Sequence, residues 1–240
     1  MTGNSSPGTA TLQPPAAASR PLYFIWICDC SDSMKSDQRM TELNRAIRQS
    51  IPYIKKRAAE NPKAEILMNT LKFSTGGEWV SYNFTPLEQF EWNDLAAVDG
   101  VTDLGEAFIM VSKELKLQPE GKMEFRGYPP VIVLITDGYP TDDWETGFNA
   151  MMSVPWAEKA VRMAVGLPGS DELILKKFIG NVMNKDQKLV HVTQNLENLA
   201  DQIKLVSDVA LGVKEAQKNP VDPVNSEDDD IPGLSPYNGE

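Results

Sequence analysis

The sequence predicts a doubly wound α/β fold, in which helices cover both faces of a mostly parallel central sheet with one antiparallel edge hairpin. The first observation is that strand-like and helix-like patterns alternate along the chain. The second is the stretch 131–135, whose continuous apolarity is typical of a central parallel strand covered on both faces. The third is a pair of partly alternating stretches, 64–73 and 78–84, which flank Ser-Thr-Gly-Gly and indicate the hairpin.

The first half of the chain supplies a strand, a helix and the hairpin. Residues 23–28 form a short apolar run that predicts a buried first strand. From Arg39, apolar residues recur at steps of three and four and predict a helix. This helix is expected to end at Asn61, because Pro62 disfavours helical backbone in the residue before it. Residues 88–99 lack clear periodicity and are expected to form a loop with some aromatic packing.

The second half of the chain is predicted to add four helices and two more strands to the central strand. The apolar spacing indicates helices over residues 104–115, 146–152, 171–179 and 196–211. Shorter apolar runs indicate strands at residues 160–165 and 189–192. Ser170 is expected to cap the helix that begins at Asp171, because a hydroxyl at that position can accept a hydrogen bond from a free amide.

Composition and charge exclude several classes of protein. The 240 residues are 41% hydrophobic, which is enough for one domain with a substantial core. The formal net charge of -11 argues against a strongly basic face, so nucleic-acid binding is not expected. No apolar run approaches the length that spans a bilayer, and residues 1–19 lack the pattern of a signal peptide. We therefore expect no membrane association and a cytoplasmic location.

The chain divides by composition into three parts. Residues 1–20 are rich in Pro, Ala and Ser and are expected to be a disordered N-terminal extension. Residues 21–212 are expected to form the folded domain, and residues 213–240 an acidic, proline-containing disordered tail. Cys28 and Cys30 are only two residues apart near one strand end, where a mutual disulfide is geometrically poor. We expect them to be small core residues.

Candidate metal ligands lie in three loops, each of which follows a strand or precedes a helix. The carboxyl ends of parallel strands share one edge of a sheet, so these loops can converge. Two carboxylates, three hydroxyls and water would make the oxygen shell that suits Mg²⁺, although Mn²⁺ and Ca²⁺ accept the same ligands. For Thr102, capping of the following helix is a structural alternative. The candidates are Asp29, Ser31 and Ser33, then Thr102, then Asp137.

Three further carboxylates near these loops are assigned other roles. Asp32 lies between two candidate ligands and is expected to face solvent. Asp142 and Asp143 lie beyond the third loop, where a negative charge at a helix N-terminus explains them better than metal ligation does.

The three motifs resemble the metal-ion-dependent adhesion site (MIDAS) of von Willebrand factor A (VWA) domains, whose fold is Rossmann-like. The matching segments are Asp29-x-Ser31-x-Ser33, Gly-x-Thr102-x-Leu-x-x-Ala and Thr-Asp137-Gly. The resemblance implies that Ser31, Ser33 and Thr102 contact the metal directly, and that Asp29 and Asp137 bind it directly or through water. It also implies that residues 21–212 are a VWA domain.

The segment 134–143, with Ala-Val-Gly-Leu at 164–167, further resembles the TerY branch of that family. These are bacterial cytoplasmic proteins associated with tellurium resistance and stress. Several are linked with a Ser/Thr kinase and a metal-dependent protein phosphatase, so the resemblance implies partners of this kind. The two predicted tails are departures from that pattern.

Three functions are compatible with these observations. The first is a non-enzymatic interaction module of a bacterial stress or defence signalling system, in which the metal bridges to an acidic residue of a partner. The second is a metal-dependent hydrolase such as a phosphatase or nuclease, although the set offers only two strong carboxylates and no evident nucleophile. His191 lies far from the ligand loops in sequence, and a lone histidine near a strand end is more often structural than catalytic. The third is a scaffold that binds through its tails, with an incidental metal site. The oligomeric state and the identity of the partner stay open.

Overall fold

The chain builds a seven-stranded sheet in the computed structural model, which describes residues 19–59, 64–180 and 190–192. The spatial order is β3-β2-β1-β5-β6-β7, and the short β4 pairs with β2. Pairing is parallel from β2 through β1, β5 and β6 to β7, whereas β3 and β4 run antiparallel to β2. The strands are Arg20–Asp29 (β1), Ala64–Ser74 (β2), Gly76–Trp79 (β3), Thr85–Pro86 (β4), Val131–Thr136 (β5), Val161–Gly166 (β6) and Val190–Val192 (β7).

Helices connect the strands and pack around the sheet, as the sequence predicts. Two short 3₁₀ segments, Asp32–Gln38 and Leu87–Gln89, were not expected, because segments this short carry no apolar period. The predicted helix 196–211, residues 1–18 of the predicted N-terminal extension and the whole predicted C-terminal tail lie outside the described residues. The α-helices are Arg39–Ala59 (α1), Leu104–Glu114 (α2), Trp144–Met152 (α3), Pro155–Glu158 (α4) and Glu172–Ile179 (α5).

Burial of the central strands shows that both faces of the sheet are covered. Every residue of β5 is buried, and so is every residue of β1 after Arg20. Successive side chains of a strand point to opposite faces, so complete burial requires packing on both sides. Trp26 and Phe24 are among the largest fully buried side chains, and their rings lie 4.9 Å apart. The predicted doubly wound α/β architecture is therefore confirmed.

The predicted hairpin is confirmed, with a shorter second strand. Phe73 pairs with Gly77 and Ser74 with Gly76 in antiparallel register. Gly76 has a φ of +75°, a backbone conformation that glycine adopts without a steric penalty. The second strand spans Gly76–Trp79 rather than the expected residues 78–84, and it lies at the edge of the sheet.

Two local predictions meet different outcomes. Cys28 and Cys30 are both free and buried, as expected for small core residues, and burial raises the pKa of the Cys30 thiol to about 12. The expected Ser170 cap is wrong, because the Asp171 side chain accepts the hydrogen bonds from the first amides of α5. The Ser170 hydroxyl instead packs against Gly166 and has no hydrogen-bond partner among the described residues.

Within the described part of the chain, no helix is long and apolar enough to cross a membrane.

Candidate metal centre

Asp29 and Asp137 lie side by side because β1 and β5 are neighbouring parallel strands. Cys28 pairs with Ile135, so both strands end at the same edge of the sheet. Asp29 is the last residue of β1, and Asp137 directly follows β5. Both side chains are almost fully buried. The topology thus brings together the two carboxylates that the sequence singles out.

Each oxygen of the Asp29 carboxylate accepts a hydrogen bond. The Ser31 backbone N–H donates to Oδ1 over 2.9 Å, and the Thr136 hydroxyl donates to Oδ2 over 2.6 Å. Burial raises the pKa of the Asp29 carboxyl, hydrogen bonds from Ser31 and Thr136 oppose this rise, and the charge of Asp137 adds to it. Two mutually repelling carboxylates in a buried setting would be stabilised by a cation.

The two serines of the first loop connect it to the third loop. The Ser31 and Ser33 hydroxyl oxygens lie 3.1 Å apart. The Ser33 hydroxyl donates to Asp137 Oδ1 over 2.7 Å. The structure therefore brings Asp29, Ser31, Ser33 and Asp137 into one hydrogen-bonded cluster, as predicted.

Thr102 reaches the same place from the second loop, and it does not cap the helix that follows. Asp103 occupies the N-cap position of α2, so the capping alternative for Thr102 is wrong. The Thr102 backbone is held on both sides by Thr141, whose hydroxyl accepts from the Thr102 N–H over 3.0 Å and whose N–H donates to the Thr102 carbonyl over 2.9 Å. Thr102 is buried as a residue, but no hydrogen bond reaches its hydroxyl from the described residues, so this oxygen is available to a ligand.

Gly138 marks the point where the three loops converge. An atom placed at the Cβ position of Gly138 would lie 3.3 Å from Thr102 Oγ1 and 3.8 Å from both Asp29 Oδ2 and Ser33 Oγ. Oxygens of the first and second loops therefore surround a point on the third. A residue without a side chain leaves this space open.

The three other carboxylates named from the sequence, those of Asp32, Asp142 and Asp143, have the roles predicted for them. Asp32 faces solvent and forms an ion pair with Lys35. Asp142 accepts hydrogen bonds from the Gly105 and Glu106 amides at the start of α2, and Asp143 caps α3. Both carboxylates thus serve helix N-termini.

Three residues at the site were not predicted from the sequence. Thr136 hydrogen-bonds Asp29, and Thr141 holds Thr102. Arg39 forms an ion pair with Asp137. Thr136 and Thr141 belong to the segment that carries the TerY resemblance, so a signal was present, whereas Arg39 appeared only as the first residue of a helix.

The donor set fits a hard cation better than a soft one. Two carboxylates and three hydroxyls meet at this edge, and oxygen ligands are preferred by Mg²⁺, Mn²⁺ and Ca²⁺. Across residues 19–59, 64–180 and 190–192, no group of three or more His, Cys, Asp or Glu side chains is placed to hold a metal. The hydroxyls are therefore an essential part of any site formed here.

His191 lies on β7, in register with Val165 of β6. The strand order places β7 two strands beyond β5, away from the carboxylates at the ends of β1 and β5.

Comparison with solved structures shows the fold of the chain. No protein-family model matches the sequence, and no curated protein matches it. The chain is similar to mussel byssus proximal thread matrix protein 1 with a zinc-occupied MIDAS motif, with a TM-score of 0.61 and 17% identity over 81% of this chain and 49% of that one. The chain thus spans about half the length of the mussel protein.

Two prokaryotic structures are similar as well. A von Willebrand factor type A protein from Catenulispora acidiphila has a TM-score of 0.57 and 14% identity, over 81% of this chain and 43% of that one. The ArnB paralog VWA2 from Sulfolobus acidocaldarius has a TM-score of 0.51 and 20% identity, over 78% of this chain and 44% of that one. Together with the sheet order described above, these similarities show that the chain has the α/β fold of von Willebrand factor A domains.

Proposed function

We propose that the chain is a non-enzymatic protein interaction module that binds an acidic residue of a partner through a divalent cation. The observation that carries this proposal is the convergence of oxygens from three loops around Gly138. The residues that would hold the cation are Asp29, Ser31, Ser33, Thr102 and Asp137. A neighbour in fold has a zinc-occupied MIDAS motif, which supports a divalent cation at the corresponding edge.

The chemistry of the donors explains why such a site would bind a partner. Three of the five donors are neutral hydroxyls, so much of the cation's charge would stay available to an incoming carboxylate. Mg²⁺, our proposed ion, usually keeps several waters, and a partner Asp or Glu can replace one of them. The free Thr102 hydroxyl and the open space beside Gly138 support direct access of an ion to the cluster.

The cellular setting is the part of the proposal that rests on the sequence alone. The segment 134–143 resembles the TerY branch, so we propose a cytoplasmic role in bacterial stress or defence signalling. A Ser/Thr kinase and a metal-dependent phosphatase are the proposed partners. Thr141 and Asp142 of this segment make contacts that hold the second loop and α2, which supports a structural reason for the segment.

The proposal is tested with Thr102→Val, which removes one donor oxygen and keeps the shape of the side chain. Because the hydroxyl makes no hydrogen bond to the described residues, we expect folding stability to change little. Calorimetric titration with Mg²⁺ and Mn²⁺ is expected to show binding to the wild type that weakens about tenfold or more in the variant. Affinity capture of partners should follow the same order and be lost in EDTA.

The matched control is Thr85→Val, which makes the same chemical change on β4. Thr85 pairs with Met68 in the middle of β2, away from the strand ends that carry the candidate ligands. This control should bind the metal and the partner as the wild type does. Equal metal binding by Thr102→Val and the wild type would contradict the assigned site. Equal capture of partners with and without EDTA would move the binding surface to the helices or the tails.

A further inference from the structure

Arg39 places a positive charge directly on one of the two central carboxylates. Its Nη1 lies 2.5 Å from Asp137 Oδ2. The Asp137 side chain is fully buried and the Arg39 side chain is only 16% exposed, so solvent and salt screen this pair weakly. Both carboxylate oxygens of Asp137 therefore have a partner, because Oδ1 accepts a hydrogen bond from Ser33 and Oδ2 contacts Arg39.

The Arg39 guanidinium makes few other favourable contacts at this position. Its Nη2 is 3.5 Å from Asp37 Oδ2, and the Asp37 side chain is 76% exposed. Its Nε is buried and has no hydrogen-bond partner among the described residues. A buried cation is stable only where its charge and its donors are matched. The negative charge of Asp137 is therefore the main attraction that holds Arg39 at the site.

The backbone that delivers Arg39 is strained. Asp37 and Gln38 have φ values of +52° and +58°, the left-handed region that residues with a Cβ rarely adopt. These two residues close the 3₁₀ segment and directly precede Arg39, the first residue of α1. Strain at a candidate binding site points to a functional constraint, because the surrounding contacts must compensate for it.

The proposed cation and the guanidinium require the same carboxylate. An ion held by Asp29, Ser33 and Thr102 near Gly138 would share Asp137 with Arg39 and would be repelled by its charge. We propose that Arg39 is a tethered competitor of the divalent cation at Asp137, and that metal binding loosens the Arg39–Asp137 contact. This inference rests on the proposed metal site. The coupling is reciprocal, so Arg39 weakens metal binding by the factor by which the metal weakens the ion pair.

The structural consequence is a link between metal occupancy and the start of α1. The same guanidinium also pairs with Asp37, one of the two left-handed residues, so its departure from Asp137 disturbs that contact as well. The 3₁₀ segment then has a reason to rearrange, and this segment contains Ser33 and directly follows Ser31. Arg39 is thus assigned as a residue that sets the metal affinity and reports on it, rather than as a metal ligand.

The test is a Mn²⁺ titration of the full chain, followed by electron paramagnetic resonance, for the wild type, Arg39→Gln and Arg39→Lys. Arg39→Gln removes the competing charge and is expected to bind Mn²⁺ about tenfold more tightly than the wild type. Arg39→Lys keeps a cation in the same place and should stay close to the wild type. Thermal unfolding in EDTA should show Arg39→Gln to be the less stable protein, with a larger rise in Tm on adding Mn²⁺.

The matched control is Arg48→Gln, which removes the same charge from α1 at an exposed ion pair with Asp94. It should leave Mn²⁺ affinity unchanged. Unchanged or weaker binding by Arg39→Gln, with normal binding by the wild type, would overturn the competitor role and leave Arg39 as a support for Asp137. Absence of Mn²⁺ binding in the wild type and in every Arg39 variant would overturn the metal site itself, and the inference with it.

Discussion

At the scale of the residue, Thr141 is the side chain that fixes the second loop. It contacts Thr102 through both its hydroxyl and its N–H, across a separation of 39 residues in the sequence. The predicted metal-site residues could be named from the sequence because their oxygen side chains lie beside predicted strand and helix ends, and because the order of the motifs resembles the MIDAS motif. Thr141 lies in the segment that resembles the TerY branch, but its role could not be named, because that role depends on which distant loop folds beside it. Arg39 was missed for the same reason.

Substitution of Thr141 by Val is expected to weaken metal binding without removing a ligand. The change removes the acceptor of the part-buried Thr102 N–H, which costs about 0.5–1.5 kcal/mol of folding stability. It also lets the Thr102 loop shift, and loss of such supporting contacts typically lowers metal affinity about 10–100-fold. Urea denaturation and Mn²⁺ titration measure the two effects. Thr141→Ser keeps the hydroxyl and should retain most of both, so equal defects in the two variants would contradict this role.

At the scale of the element, Asn44 anchors the irregular segment 90–99 to α1. Its side-chain amide donates to the Leu95 carbonyl over 2.8 Å, and its Oδ1 accepts from the Leu95 N–H and the Trp92 indole. The same segment continues to Val98, which donates to the Cys30 carbonyl beside the first metal-site loop. One buried side chain therefore replaces the regular hydrogen bonding that this segment lacks.

Asn44→Ala is expected to destabilise the fold by about 2–3 kcal/mol, since the Leu95 amide and carbonyl lose their buried partners. Urea denaturation measures this loss. Gln49→Ala, on the exposed side of the same helix, should change stability by less than about 0.5 kcal/mol. A cost for Asn44→Ala no larger than that of the control would show that water replaces the lost contacts.

Elements with a clear period were predictable, and those fixed by local competition were not. The beginning of α1 at Arg39 and the central strand β5 follow from apolar spacing alone. The cap of α5 could not be predicted, because Ser170 and Asp171 are both good capping residues and only their positions in the fold decide between them. The 3₁₀ segment Asp32–Gln38 has no period and includes left-handed residues that no glycine signals.

At the scale of the whole molecule, the proposed cation would bind the native state in preference to the unfolded chain, because only folding brings the two buried carboxylates to one sheet edge. The mostly parallel sheet was predictable, and it was enough to expect Asp29 and Asp137 at the same edge, whereas the strand order that makes β1 and β5 neighbours came from the structure. The side-chain geometry between them was not, because it depends on Thr136, Ser33 and Arg39 contacting them across long sequence separations.

Saturating Mn²⁺ is therefore expected to stabilise the whole domain. An ion that binds only the native state adds about 2.7 kcal/mol at one hundred times its Kd. For a chain of this size that corresponds to a rise in Tm of about 5–10 °C. Differential scanning calorimetry with Mn²⁺ and then excess EDTA measures the shift and its reversal. An equal shift in Thr102→Val, or with a monovalent salt at the same ionic strength, would show that the effect does not come from this site.

The central position of β1 has a consequence for how the protein is made. One edge of this apolar strand can pair as soon as β2 has been made. The other edge pairs with β5, in register Phe24 to Val131, and stays unpaired until then. During translation, the nascent chain therefore carries an unpaired apolar strand edge until β5 has been made, which is past the midpoint of the 240 residues. Such an edge is the kind of surface that cellular chaperones shield and that misassembles when left bare. The strand that positions Asp29 in the finished protein is thus the part of the growing chain that most needs protection.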